Sequence, residues 1–264
     1  KSERLLIFRF LFSKKSDGYV SIFAWFSIIG ISLGVAAIII VMSVMNGFRI
    51  DLTNRIIGLN SHLNIYSFDN EITNKQADEL ILNIDNSFFY QHYKSIETNG
   101  LIIKSNNSKG VMIKGYDEYD KNHYLFNSIN IGALIQNPSS EILIGDSLAN
   151  EMNLSVGDKV KIAIPKTDKT ILGNIPRFKT LEVVGVFDLG LYEYDSNLIF
   201  LSSELVRKLL LYDEDIYNKI EFFTSSPNEI ELFKNKVELE TSNLLLNFYS
   251  ISWKDQNKTL INAL

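Results

Sequence analysis

The sequence predicts an α+β protein in which one N-terminal transmembrane helix is followed by a large domain of short strands and short helices. The first observation behind this class is a stretch, residues 20 to 48, that contains no charged side chain. The second is the change after Gly58 to alternating segments of strand length and short helical segments. We find no internal repeat and no low-complexity tail. A chain of 264 residues can hold one large or two small domains.

The charge of the chain is distributed unevenly. The 264 residues carry a formal net charge of -5 and include no cysteine. The first 15 residues are basic, and their charged side chains are Lys1, Glu3, Arg4, Arg9, Lys14 and Lys15. The remainder of the chain is acidic. Because an acidic body repels the phosphate backbone, we expect no nucleic acid partner. The missing cysteines exclude disulfides and thiolate sites but do not identify a compartment.

The uncharged stretch is long enough to cross a membrane, because about 20 apolar residues span a hydrocarbon core of about 30 Å. A signal peptide has an apolar core of only about 7 to 15 residues and a small-residue cleavage site, which "VMSVMNGF" does not offer. We therefore expect a retained helix over 19–48. The basic flank predicts a cytoplasmic N-terminus and an outer, periplasmic main domain in a bacterial inner membrane. Residues 1–18 form either an interfacial amphipathic segment or a flank that only sets orientation.

Small residues recur along one face of the predicted transmembrane helix. Ser27, Gly30 and Gly34 are spaced by three and four residues, a pattern that permits close packing against another helix in lipid. Beyond the membrane the apolar positions continue at helical spacing to Leu59, so we expect the helix to project into the outer domain.

The outer domain is predicted from local signals in chain order. Residues 62–68 alternate as a strand, Thr73 can cap the helix after it, and residues 100–115 predict two strands around a turn. Residues 141–154 predict a strand that runs into a helix capped by Asp146 or Ser147, followed by a turn at Gly157. The remaining strands and helices are "KVKIAI", "LEVVGVF", "NLIFLS", "SELVRKLLL", "KIEFFTS" and "SPNEIELFKNKVEL", the last starting at Ser226 and Pro227.

Residues 164–180, "IPKTDKTILGNIPRFKT", lie between two predicted strands and have an unusual composition. Two of the four prolines of the chain are here, together with cations and apolar side chains. Structureless loops longer than about 12 to 15 residues are usually either functional or disordered, so we expect a disordered loop or a partner-binding one. The residues that could contact a partner are Pro165, Lys166, Ile171, Leu172, Ile175, Pro176 and Arg177.

Motifs for catalysis are missing from the sequence. It contains no Walker A motif, no G-x-G-x-x-G after a strand and no G-x-S-x-G. His62, His92 and His123 are isolated, which favours ordinary histidines over metal ligands. Glu193 and Asp195 could form an acid–base pair, but the adjacent tyrosines favour a strand edge or a turn. We therefore predict no catalytic, cofactor or metal site, and a membrane-anchored enzyme is the disfavoured alternative.

Three segments together resemble a known family. They are "FAWFSIIGISLGVAAIIIVMSVMNGFRIDLTNRIIGLNSHL", "EILIGDSLANEMNLSVGDKVKIAIP" and "IPRFKTLEVVGVFDLGLYEYDSNLIFL". They resemble the lipoprotein-releasing permeases, LolC and LolE, within the wider group of MacB-like mechanotransmission transporters. The most specific part is "SVMNGF" at the membrane exit, and the resemblance covers nearly the whole chain.

The resemblance implies a permease subunit that extracts lipoproteins from the inner membrane and passes them to a periplasmic chaperone. It implies a porter-like part (49–95 and 203–252), an inserted mainly-β part (96–202) and a segment, 253–264, that leads to a second transmembrane helix. This family has four membrane helices, so the chain is expected to be a fragment. The implied partners are a cytoplasmic ABC ATPase dimer, a second permease subunit, the chaperone, the lipoprotein substrate and membrane lipid.

The resemblance also assigns roles to residues. Residues 165–178 occupy the position of a hook that holds the chaperone, although a plain long hairpin is the alternative. Met42, Met45 and Phe48 would contact acyl chains, unless they are ordinary lipid-facing residues. No enzyme activity is expected in this subunit, since ATP hydrolysis would belong to the ATPase. The competing reading is a MacB-like or FtsX-like subunit that transmits force to another envelope partner.

Overall fold

The computed structural model describes residues 18–59, 61–84, 87–119, 123–170 and 173–259. The chain divides into two compact units, Lys1–Asn54 and Arg55–Leu264. Helix α1 (Gly18–Leu59) is 42 residues long. Within it, Ile22–Asp51 is long and apolar enough to cross a membrane, and no part of its most apolar window is buried. The helix continues past Phe48 to Leu59, as its apolar spacing predicts.

The second unit mixes strands with short helices. Its strands are β1 (Leu63–Ser67), β2 (Ile72–Thr73), β3 (Gln91–Lys104), β4 (Asn107–Tyr116), β5 (Ile129–Gly132), β6 (Glu141–Gly145), β7 (Lys159–Thr170), β8 (Gly173–Phe187), β9 (Leu198–Ser202), β10 (Ile216–Tyr217), β11 (Lys219–Phe223) and β12 (Phe248–Ser252). Its helices are α2 (Asn74–Asn83), α3 (Asp146–Met152), α4 (Tyr192–Asn197), α5 (Ser203–Leu210), α6 (Ile230–Asn243) and α7 (Trp253–Gln256). Short 3-10 turns cover Tyr124–Ser128 and Pro227–Glu229. This confirms the predicted α+β class.

Ten strands form one sheet in the order β12-β1-β11-β3-β4-β9-β6-β8-β5, and β7 pairs with both β3 and β8. The hydrogen-bonded neighbours therefore close a circuit of six strands, β3-β4-β9-β6-β8-β7, from which β11, β1 and β12 continue as an open extension. Strand β3 belongs to both parts, and the proposed division between residues 95 and 96 falls inside it. Every strand of the circuit supplies a buried side chain to one apolar cluster, including Ile102, Ile113, Ile144, Ile162, Val183 and Ile199.

Side-chain caps explain where some of the helices start. Thr73 caps α2 through a capping box with Gln76, as predicted. Ser202 caps α5. The prediction of Asp146 or Ser147 as the cap of α3 is wrong, because the helix begins at Asp146 and Gly145 occupies the cap position without a side-chain hydrogen bond. Tight packing requires a glycine at this cap position, because a Cβ on Gly145 would lie 2.1 Å from the Asp195 carbonyl oxygen.

The segment with Glu193 and Asp195 differs from its prediction. A short helix, α4, replaces the expected strand edge or turn. The amides of Tyr194 and Asp195 both donate to the Leu191 carbonyl, which starts a helical turn. The buried Asp195 carboxylate also accepts the Leu189 amide at 2.8 Å, so this side chain holds the loop before the helix.

Candidate functional site

The segment 164–180 forms the end of a β-hairpin in the described backbone. Strands β7 and β8 pair from Lys159↔Glu182 to Thr170↔Gly173. Most of this segment is therefore regular antiparallel backbone, where the sequence predicted an irregular loop. We call residues 165–170 and 173–178 the arm. Ile171 and Leu172, two of the predicted contact residues, lie outside the described residues, as do the side chains of Pro165, Lys166, Ile175 and Pro176.

The two prolines determine where the arm is irregular. The register shifts between Ile164 and Thr167, which is where Pro165 lies, and Pro176 pairs with Thr167 directly after the shift. Proline has no amide hydrogen to donate to a neighbouring strand, so it is found in strands at bulges and edges. The register shift thus places Pro165 at an irregular point of the ladder, where a strand can accommodate a proline.

Arg177 is bound to its own domain. Its Nη1 donates to the Lys208 carbonyl at 3.2 Å. Lys208 lies in the last turn of α5, where the helix carbonyls have no partner within the helix. This contact anchors the base of the arm to α5. Of the predicted contact residues, Arg177 is thus the one whose side chain has a described structural role.

An exposed row of apolar side chains lies at the base of the arm. Leu101 pairs with Ala163, and Ala163 pairs with Phe178. Met112 pairs with Asn99, two residues before Leu101, so all these positions share one face of the sheet. Leu101, Met112 and Phe178 are 45%, 38% and 51% exposed. We call these three residues the apolar row.

The sequence did not reveal the apolar row. Its members alternate with buried residues such as Ile102 and Ile113, so each strand shows only an apolar run. The pairing of β3, β4, β7 and β8 is what brings them together. Lys161 lies two residues along β7 from Ala163 and is exposed on the same face, which adds positive charge beside the row.

The C-terminal half of α1 carries the predicted lipid-contact residues. Met42, Met45 and Phe48 are all more than half exposed. The small-residue face is open as well, because a Cβ on Gly30 or Gly34 would meet no described atom within 4 Å. Ser27 is exposed on the same helix. Contact with acyl chains and packing against another helix both stay predictions for these residues.

A buried ion cluster lies on the sheet between β11, β3 and β4. The Glu221 carboxylate lies 2.9 Å from the Lys219 ammonium and 3.2 Å from the Lys114 ammonium. It also accepts the Tyr116 hydroxyl at 2.5 Å, while Lys219 contacts Glu97 at 2.9 Å. Two ammonium groups and two carboxylates thus balance in charge, and nothing in their arrangement leaves a reactive group free.

The pKa shifts in this cluster follow from the pairing. Burial would raise the pKa of Glu221, but the ammonium groups of Lys114 and Lys219 outweigh it and hold this pKa well below its usual range. Burial would lower the pKa of Lys219, but the carboxylates of Glu221 and Glu97 raise it well above its usual value. Both groups are therefore charged at every ordinary pH. We interpret the cluster as structural.

The two acids of α4, Glu193 and Asp195, were the acid–base candidates of the sequence. Burial and the neighbouring Asp188 carboxylate raise the pKa of Asp195 to about 6, and the donated Leu189 amide opposes them. Glu193 is exposed, so the two acids of this helix have different surroundings. Among the described residues, no group of three or more His, Cys, Asp or Glu could hold a metal ion.

The chain is similar to a known domain family and to curated lipoprotein-releasing proteins. Residues 24–238 match the family model described as MacB-like periplasmic core domain. The lipoprotein-releasing system transmembrane protein LolC of Neisseria meningitidis serogroup B is 28% identical over 213 residues, covering 79% of this chain and 51% of that protein. LolC of Buchnera aphidicola subsp. Acyrthosiphon pisum is 25% identical over 261 residues, covering 97% of this chain and 62% of that protein. These matches confirm the resemblance inferred from the sequence.

The chain spans about half the length of the curated relatives it matches. The periplasmic region of MacB from Actinobacillus actinomycetemcomitans superposes with a TM-score of 0.48 at 14% identity, covering 78% of this chain and 95% of that structure. Because this score is below 0.5, the fold assignment depends on the family model and on the strands themselves.

Proposed function

Because the chain belongs to the family of MacB-like periplasmic core domains, we propose that it is part of a permease subunit of an ABC-type lipoprotein-releasing complex. The observation that carries the proposal is the similarity to LolC, which extends over most of the chain. In this proposal the subunit sits in the bacterial inner membrane with its N-terminus in the cytoplasm. Arg55–Leu264 is periplasmic, and ATP is hydrolysed by a separate ATPase dimer.

The exposure of α1 supports a membrane location. A water-soluble helix hides its apolar side chains, whereas those of Ile22–Asp51 are almost all exposed. Such a surface is stable in hydrocarbon, and a helix satisfies all its backbone groups internally there. The open face at Gly30 and Gly34 would receive a helix of the same or a second permease subunit.

The arm and the apolar row support a docking role. Three apolar side chains beside Lys161 offer a patch that suits a partner with an apolar centre and an acidic rim. We propose that this partner is the periplasmic chaperone that receives the lipoprotein. The arm would hold it, and the apolar row would contact it at the base.

The proposed mechanism is conformational. ATP-driven closure of the cytoplasmic subunits would move α1, and its continuous extension to Leu59 would carry this motion into the periplasmic domain. Lipoprotein acyl chains would pass the outer end of α1, where Met42, Met45 and Phe48 are exposed. Methionine suits this role because its unbranched, polarizable side chain adapts to irregular apolar surfaces.

The acyl-chain route is tested by photocrosslinking in the full-length complex. A crosslinking residue at Met45 is expected to form an adduct with a lipoprotein, and the same residue at Ile28, nearer the basic N-terminal end, is the control. No lipoprotein adduct from Met45, in a complex that hydrolyses ATP, would remove this helix end from the route.

The docking role is tested by charge substitution. Phe178→Glu is expected to weaken chaperone binding by about tenfold or more, because it places a carboxylate in the apolar row. Phe68→Glu is the matched control, since Phe68 is also exposed but follows β1 in the open part of the sheet. Equal chaperone binding by both variants and the unmodified protein would remove the apolar row from the contact and favour a plain hairpin.

A further inference from the structure

His62 is a buried histidine in the short connection between α1 and β1, and its ring is bonded on both sides. The Thr224 amide lies 2.8 Å from Nδ1, and the Ile57 carbonyl oxygen lies 3.0 Å from Nε2. An amide can only donate, so Nδ1 must accept. The ring proton therefore sits on Nε2 and is donated to Ile57. The geometry requires one neutral tautomer.

The bond to the Ile57 carbonyl lies at the C-terminal end of a helix, where backbone carbonyls need partners from outside the helix. Ile57 belongs to the last turn of α1, where the final four carbonyls have no partner within the helix. Histidine side chains near a helix C-terminus can satisfy such carbonyls. The His62 ring thus links the end of α1 to Thr224, the residue directly after β11.

The backbone of His62 adds two more links. Its amide donates to the Phe222 carbonyl of β11 at 2.8 Å, and its carbonyl accepts the Trp253 amide of α7 at 2.9 Å. The ring also packs edge-on against Phe223, with centroids 5.6 Å apart. One residue thereby joins the end of α1, strand β11 and the start of α7, all within Arg55–Leu264.

The three joined elements have distinct places in the chain. The end of α1 is where the chain enters the folded unit, and α7 follows its last strand in the sheet. In the proposed function α1 is the element that moves, and the resemblance predicts that 253–264, the segment that begins with α7, leads to a second transmembrane helix. The entering and leaving segments therefore meet at His62. Filling the core alone would not require a ring nitrogen directed at a helix end.

We propose that His62 is a positioning residue for transport, whose Nε2–H bond to Ile57 passes a displacement of α1 into β11 and α7. This inference rests on the proposed function. The backbone bonds of His62 to Phe222 and Trp253 tie the residue to β11 and α7, and the Ile57 bond connects its ring to the helix. Loss of the Ile57 bond would leave the domain folded, with only the chain itself connecting His62 to the end of the helix.

Two substitutions separate the two ring bonds. His62→Asn keeps an acceptor near the Nδ1 position and removes the donor to Ile57. His62→Gln keeps a donor near the Nε2 position and removes the acceptor for Thr224. His92→Asn is the control: it removes an exposed histidine of β3 by the same substitution, away from the end of α1.

Each variant is tested in the full-length permease, assembled with its ATPase in vesicles that contain a lipoprotein. We expect His62→Asn to lower ATP-dependent release to the chaperone about tenfold while ATP hydrolysis continues. His62→Gln and His92→Asn should release within about threefold of the unmodified protein. Release that follows the thermal stability of the variants, with no difference between Asn and Gln, would mean a merely structural role and overturn the proposal.

Hydrogen–deuterium exchange distinguishes this failure from failure of the proposed function. If the unmodified complex releases no lipoprotein, the proposed function is wrong. The link is then judged by exchange at the last turn of α1, which His62→Asn should accelerate and His62→Gln should not. Equal exchange in the two variants would overturn the link itself.

Discussion

Helix α1 and strand β11 both depart from the usual arrangement of a folded protein, in which apolar side chains are buried and charged ones are exposed. The helix exposes apolar side chains, and the strand buries charged ones. Helix α1 exposes its apolar side chains, such as Ile39 and Met45. Strand β11 buries Lys219 and Glu221 between apolar neighbours. The first arrangement is stable only in apolar surroundings, and the second is stable only when every charge has a partner. The environment of α1 thus lies outside the described chain, whereas that of β11 is supplied by β3 and β4.

The largest expected effect is the loss of a charge from the buried cluster. Glu221→Gln would leave the Lys114 and Lys219 ammonium groups with one carboxylate, that of Glu97. Breaking a buried pair in this way typically lowers the free energy of unfolding by about 3–5 kcal/mol. Denaturant unfolding of the protein in detergent, followed through the fluorescence of the buried Trp253, measures the loss. A loss below about 1 kcal/mol would mean that the cluster is hydrated.

The next effect concerns α1. Ile39→Lys replaces an apolar side chain with an ammonium group in the middle of the apolar segment and should raise the free energy of membrane insertion by about 3–4 kcal/mol. The control is Ile50→Lys, also exposed on α1 but at the charged end of the apolar segment, between Arg49 and Asp51. An insertion assay that measures the integrated fraction checks the difference. Equal integration of both variants would contradict a lipid environment for α1.

A smaller effect is expected at Asp195. Its folded-state pKa is raised from 3.8 to about 6, so the folded protein binds this proton more tightly than the unfolded chain does. The resulting stability is present below about pH 4 and is lost as the pH rises through about 6. Asp195→Asn keeps an oxygen for the Leu189 amide and removes the charge beside Asp188. It should be about 1 kcal/mol more stable than the unmodified protein at pH 7.

Comparison of unfolding at pH 4 and pH 7 provides the control for Asp195→Asn. The stabilising effect should disappear at pH 4, where the native carboxyl is already neutral. An equal effect at both pH values would mean that charge is not its cause.

The smallest effect is expected at an exposed pair. Glu204 and Lys208 form an i,i+4 ion pair on α5, with side chains 49% and 67% exposed. Glu204→Gln should change the free energy of unfolding by less than about 0.5 kcal/mol, because solvent screens the pair. The same unfolding assay as for Glu221 checks this. If Glu204→Gln lowered the free energy of unfolding as much as Glu221→Gln does, burial would not determine how much an ion pair contributes to stability.

The features predicted correctly from the sequence depend on neighbours in the chain. Thr73 caps α2 because Gln76 is three residues away, and Gly157 turns the chain into β7 with a positive φ of 94°. The length of α1 also follows from local apolar spacing. The short helix at Tyr192–Asn197 was missed because its tyrosines and acids suit several local structures, and the burial of Asp195 decides between them.

The features that were not predicted depend on contacts distant in the chain. The pattern of Lys219 and Glu221 suggests an exposed strand face, and only the approach of Lys114 and Glu97 makes their burial possible. The apolar row requires four strands to be placed side by side. His62 was interpreted as an ordinary histidine, since its partners Ile57 and Thr224 are backbone groups that carry no side-chain signal.

The proposed function is tested most directly by lipoprotein release from vesicles that contain the full-length permease, its ATPase and a labelled lipoprotein. The account predicts that the lipoprotein leaves the vesicles in a complex with the periplasmic chaperone only when ATP is present, and that Phe178→Glu reduces this transfer. ATP hydrolysis with all lipoprotein retained in the vesicles, in the presence of active chaperone, would contradict it.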